Sequence, residues 1–127
     1  MKYDQRLLKI LFVEDEDALR QPVAKMLRNA GFQVLEAASG CDATDLLHAN
    51  GDQIDAVLLD VTIPGRSSQE VVAEAARVRP DLKVILTSAY SEETAVAGMR
   101  AALIRRFIRK PFRISDLVET LRQVLSS

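Results

Sequence analysis

The sequence has no tryptophan, a single cysteine and a single histidine, and aromatic side chains make up only 5% of it. Cys41 alone cannot close an internal disulfide, so a reducing compartment, the cytoplasm, is the expected location. Nothing basic surrounds Cys41 in sequence, and it reads as a small, half-buried helix residue rather than a redox centre. His48 has no histidine or second cysteine to share a metal with and reads as a surface or half-buried helix residue. No apolar run approaches the ~20 residues that cross a bilayer, and the first nine residues lack a secretory pattern. Membrane contact is therefore not expected. An excess of one charge is also missing: 17 Lys+Arg against 18 Asp+Glu leave a net charge of -1. That balance argues against direct binding of nucleic acid. There is no repeat, linker or low-complexity stretch, so residues 1–127 read as one domain with a core over about 7–126 and no room for an effector.

What is present is a regular alternation. Short apolar runs recur at Leu7–Val13, Val34–Leu35 with Ala37–Ala38, Ala56–Leu59, Val84–Leu86 and Phe107–Ile108. Runs this short, with little polar alternation, suit strands buried on both faces of a parallel sheet. Between them lie helical patterns. Leu19, Val23, Met26, Leu27 and Ala30 form one stripe, closed by Gly31. Ser39 with Asp42 and Ser67 with Glu70 fit the Ser-x-x-acid capping box, and Ser91 precedes Glu92 and Glu93. Pro80 ends the third helix, and Ser115 to Leu125 carries the last apolar face. The order is βαβαβαβαβα, which implies right-handed crossovers and helices on both faces of a parallel sheet.

In such a sheet ligands bind beyond the carboxyl ends of the strands. Glu14 and Asp15 follow the first strand, with Glu16 and Asp17 left to serve the first helix's N-terminus. Asp60 ends the third strand, Thr87–Ser88 the fourth, and Lys110 follows the fifth. Clustered carboxylates repel unless a divalent cation lies between them, and hard oxygen ligands with open positions suit Mg²⁺. An ammonium and a hydroxyl opposite the metal would hold the other oxygens of a transferring phosphoryl group. One carboxylate can then act as the nucleophile. A glycine-rich turn after the first strand, which a dinucleotide-binding module needs, is replaced by E-D-E-D.

The segments K-I-L-F-V-E-D-E, V-L-L-D-V-T-I-P-G, V-I-L-T-S-A-Y and F-I-R-K-P-F together resemble the successive signatures of response-regulator receiver domains of two-component signalling, over residues 7–126. The resemblance implies a flavodoxin-like (βα)5 doubly wound sheet of strand order 2-1-3-4-5. It implies Asp60 as phosphoacceptor, Asp15 as direct Mg²⁺ ligand, Glu14 as second acid, and the carbonyl of Thr62 as a further ligand. Lys110 matches the family's lysine, its bond to Pro111 expected cis. Ser88, 22 positions before Lys110, matches the switch hydroxyl rather than Thr87, and Phe107 the aromatic that turns inward with it. The implied partner is a sensor histidine kinase or a histidine phosphotransfer domain. The output surface is the face built by the fourth helix, fifth strand and fifth helix, through which a homodimer could also form. L-T-S-A-Y-S-E and the ending soon after the last helix look most like the C-terminal receiver of a hybrid histidine kinase. The isolated domain is then not an enzyme beyond its own phosphorylation and dephosphorylation.

Two other functions compete. A pseudo-receiver that binds partners without phosphorylation would lack a key residue, and none is missing. A haloacid-dehalogenase-type phosphatase also uses Mg²⁺ and an aspartyl nucleophile, but needs a second Asp where Thr62 stands. Three features depart from the family pattern. Ser68 occupies the place of a usual glycine, with Gly65 nearby; Leu103–Ile104 replace a Gly-Ala pair; and Arg100, Arg105, Arg106 and Arg109 make the output region basic.

Overall fold

A computed structural model of the chain describes residues 7–99 and 103–126. Ten elements alternate along it: β1 (Lys9–Val13), α1 (Asp17–Asn29), β2 (Gln33–Ala37), α2 (Gly40–Asn50), β3 (Ala56–Asp60), α3 (Ser68–Val78), β4 (Lys83–Ser88), α4 (Glu92–Val96), β5 (Ile104–Arg109) and α5 (Ile114–Ser126). All strand pairs are parallel, in the expected order β2-β1-β3-β4-β5. The three central strands β1, β3 and β4 are almost wholly buried, which is why they read as unbroken apolar runs.

Alternate strand residues feed two cores. On one face Leu11, Val13, Val57, Leu59, Val84 and Leu86 pack with Leu47 of α2 and Val71, Val72 and Ala75 of α3. On the other, Ile10, Phe12, Leu58 and Ile85 meet Val23, Ala24 and Leu27 of α1 and Leu117, Leu121 and Val124 of α5. Met26 departs from the expected α1 stripe: it is 46% exposed, and Ala24 takes the inward position. Cys41 is exposed, not half-buried, because the second residue of α2 faces away from both cores.

Helix starts follow the serines. Ser39 accepts from the Asp42 N–H, and Ser91 from the Thr94 N–H. Ser67 and Glu70 complete a reciprocal capping box. Helix α1 is different: its N-cap, Glu16, makes no side-chain capping bond, and Pro22 lies inside the helix. Gly31, with φ of +106°, ends α1 as expected.

Candidate functional site

The strand ends bring the charged groups together. Glu14 follows β1 and is almost completely buried, 1% exposed. Asp60 is the last residue of β3, and Lys110 follows β5. Lys110 Nζ lies 2.7 Å from Glu14 Oε1 and 3.0 Å from Asp60 Oδ2, joining three strands through one ammonium. The other oxygens are also used: Glu14 Oε2 accepts from the Glu16 N–H at 3.2 Å, and Asp60 Oδ1 from the Thr62 N–H at 3.3 Å. The Lys110–Pro111 peptide is cis. Asp15, exposed, stands at the mouth of a cleft of about 450 Å³ lined also by Glu16, Asp60, Thr62, Ala89, Tyr90 and Lys110.

Burial raises the Glu14 carboxyl above its ordinary value; hydrogen bonds from Lys110 and the Glu16 N–H oppose the rise, while the charge of Asp60 adds to it. Burial works against the Lys110 ammonium too, but its hydrogen bonds to Glu14 and Asp60 prevail and hold its pKa above the usual lysine value. One oxygen each from Glu14, Asp15 and Asp60 lies within 4.8 Å of the other two. Three hard carboxylate donors this close, with only one ammonium among them, fit a divalent cation.

The loop after Asp60 is seated by glycine. A Cβ on Gly40 would fall 1.9 Å from the Arg66 carbonyl oxygen, so only glycine lets the β3–α3 loop rest on the start of α2. The Gly40 N–H donates to the Pro64 carbonyl at 2.9 Å. Gly65, φ +78°, makes the turn, and Ser68 is buried at the start of α3.

Of the residues singled out by sequence, Asp15, Asp60, Thr62 and Lys110 therefore line one cleft, and the buried Glu14 joins them from behind through Lys110. Ser88 and Phe107 stand apart from its lining. Ser88 is 1% exposed at the end of β4, and its Oγ accepts from the Tyr90 N–H at 2.9 Å. Phe107, half-buried, pairs in register with Leu86 and packs on the α2–α3 core. His48, on α2, pairs with Glu74 of α3, which also binds Arg77 at 2.7 Å. Arg105, Arg106 and Arg109 are exposed on β5; Arg100 lies outside the described residues. Sequence reasoning missed Tyr90 as a wall of the cleft, and Arg20, whose 2.9 Å bond to the Glu14 carbonyl only the fold creates.

Residues 10–122 match the family model described as the response regulator receiver domain. Sensor kinase CckA of Brucella abortus (strain 2308) is 34% identical over 116 residues, 91% of this chain but 12% of that kinase. The chain thus spans a small part of that relative's length. It spans 93% of sporulation initiation phosphotransferase F of Bacillus subtilis (strain 168), at 27% identity over 92% of this chain. The solved receiver domain of the hybrid histidine kinase CckA superposes with a TM-score of 0.78 at 35% identity, over 92% of this chain and 98% of that one. No helix among the described residues is long and apolar enough to cross a membrane. With this fold and this family match, the chain belongs to the response regulator receiver domains of two-component signalling.

Proposed function

We propose that residues 1–127 act as a single phosphoacceptor domain, taking a phosphoryl group from a phosphohistidine onto Asp60 with Mg²⁺ bound. The observation that carries this reading is the Lys110 ammonium held between Glu14 and Asp60 in a cleft that Asp15 and Thr62 also line. Asp15, Glu14, Asp60 and the Thr62 carbonyl are the groups that would hold the ion, whose chemistry is to offset repulsion among carboxylates and phosphoryl oxygens.

An oxygen of Asp60 attacks the phosphorus. Its bond to phosphorus forms as the P–N bond breaks, and that electron pair stays on the donor's imidazole nitrogen. Lys110, already at the acceptor, supplies positive charge where the phosphoryl oxygens arrive. Ser88 turns its hydroxyl to a phosphoryl oxygen, Phe107 on the adjoining strand follows, and the α4–β5–α5 face changes its partner preference. Attack of water on the same phosphorus releases phosphate and resets Asp60, so the isolated domain modifies only itself.

The donor is a sensor histidine kinase or a histidine phosphotransfer domain, and the likeness to CckA favours a place within a hybrid kinase. Incubation with Mg²⁺ and acetyl phosphate should add one phosphoryl group by intact mass, and Asp60→Asn should add none. No adduct from acetyl phosphate or a phosphorylated kinase, or an adduct that persists in Asp60→Asn, would sink the proposal.

A further inference from the structure

Helices α2, α3 and α4 each begin on a serine whose hydroxyl accepts a backbone N–H of the first turn. Helix α1 has no such bond, although the loop entering it carries Glu14 and Asp15. Pro22 has no N–H, so the first turns of α1 also lack one helical hydrogen bond. The loop that presents two of the three clustered acids therefore enters a helix whose N-cap side chain gives it no hydrogen bond.

Arg20 supplies the support from outside. Its NH1 donates to the Glu14 carbonyl at 2.9 Å, its Nε to Glu36 Oε1 at 3.1 Å, and its NH2 lies 2.7 Å from Asp17 Oδ1. The side chain is 11% exposed, and Glu36 belongs to the edge strand β2. On its other side Glu36 is held by Arg28 of α1, at 3.1 Å, which also donates to the Val34 carbonyl at 2.8 Å. The Glu14 N–H is fixed to β2 as well, donating to the Ala37 carbonyl at 2.9 Å. Both sides of residue 14 are thus anchored on β2, one directly and one through Arg20. The peptide joining Glu14 to Asp15 sets where the Asp15 carboxylate can stand. A planar guanidinium can bond three acceptors at once; a lysine ammonium at this site cannot reproduce that fork.

We propose that Arg20, braced by Glu36, is a positioning residue for the cation site: it touches neither ion nor phosphoryl group but holds the Glu14–Asp15 peptide in the orientation that binds the cation. This rests on the reading of Glu14, Asp15 and Asp60 as that site. Groups that orient ligands from behind are worth about 10-fold or more in metal affinity.

The test compares two arginines of the same helix that share Glu36. Mg²⁺ is titrated into ¹⁵N-labelled wild-type protein, Arg20→Ala, Arg20→Lys, Glu36→Gln and Arg28→Ala, following amide shifts, with urea unfolding of each. Arg20→Ala is expected to weaken Mg²⁺ binding about 10-fold, Arg20→Lys nearly as much, and Glu36→Gln about 3-fold. Arg28→Ala, which loses a bond to Glu36 but none to Glu14, should bind Mg²⁺ within 2-fold of wild type, whatever its stability, by about the margin of a rim contact. Wild-type binding left unchanged in Arg20→Ala, or weakened equally in Arg20→Ala and Arg28→Ala, overturns the proposal while leaving the site intact. A wild-type protein that shows no Mg²⁺-dependent shifts overturns the site assignment itself, and the role of Arg20 with it.

Discussion

Two cationic regions meet on β5 and are handled in opposite ways. Just past its end, Lys110 is 17% exposed and shares its ammonium between two nearly buried carboxylates. Along the strand, Arg105, Arg106 and Arg109 are exposed, and among the described residues none of them forms an ion pair. No acid occurs in sequence between Glu93 and Asp116, so neither region has a local partner. Lys110 finds its partners across the sheet, from β1 and β3; the arginines have no acidic partner among the described residues, and the Arg106 side chain donates only to the Arg105 carbonyl, at 2.9 Å. A buried charge must be paired to be tolerated, whereas an exposed one is already solvated. The difference teaches that density of charge in sequence does not locate the site; burial with pairing does.

The arginines have a plainer use. β5 is an edge strand, and its pairing with β4 shifts register between Val84 and Ile85, leaving Arg105 as the extra residue. A bulge and a row of cations both discourage another strand from pairing there. The bulge also lets Ile104 and Phe107, three residues apart, pack on the same core.

The comparison breaks most visibly at Lys110. Lys110→Ala leaves Glu14 and Asp60 facing each other without compensation, and should cost about 2–3 kcal/mol of stability at pH 7. Much of that loss should return as the pH is lowered and the Glu14 carboxyl, raised by burial, takes a proton; urea unfolding at pH 7 and at acid pH measures it. A loss that is small and independent of pH would mean that the ammonium does not balance these carboxylates.

Next in size are the effects of pH on the wild-type protein, and the two groups act with the same sign in different pH windows. The folded state holds the proton of Glu14 more tightly than the unfolded chain does, because burial raises its pKa. Stability from this group therefore falls as pH rises above the ordinary value of about 4.3 and through the folded one. Lys110 is also raised, so its contribution is complete below about 10.4 and is lost as pH climbs through its folded pKa. From these two groups, urea midpoints between pH 4 and 11 should step down as pH rises, first above about 4.3 through Glu14 and again above about 10.4 through Lys110, and Lys110→Ala should remove the alkaline step.

The smallest effect should come from the strand itself. Arg105→Ala and Arg109→Ala should each change stability by less than about 0.5 kcal/mol, as unpaired surface groups do. The double variant should self-associate more readily by light scattering, if the cations guard the edge. A loss comparable to that of Lys110→Ala would erase the distinction between the two regions.

The periodicity of apolar residues was enough to state the number, order and type of elements, because strands buried on both faces and amphipathic helices each impose their own spacing. The capping serines were legible for the same reason: Ser39, Ser67 and Ser91 act within a single turn. The acids and the lysine could be placed at strand ends, since a parallel sheet delivers those ends to one edge. Interactions between distant segments were not legible. The sharing of Lys110 between Glu14 and Asp60 spans 96 and 50 residues, and the brace from Arg20 to Glu36 crosses from a helix to an edge strand. The inward turn of Ala24 in place of Met26, the exposure of Cys41 and the bulge at Arg105 were likewise decided by packing. Local spacing determines which elements form and where their chemistry-bearing residues fall along the chain; only the assembled sheet, by burying some of those charges against one another, decides which of them act together.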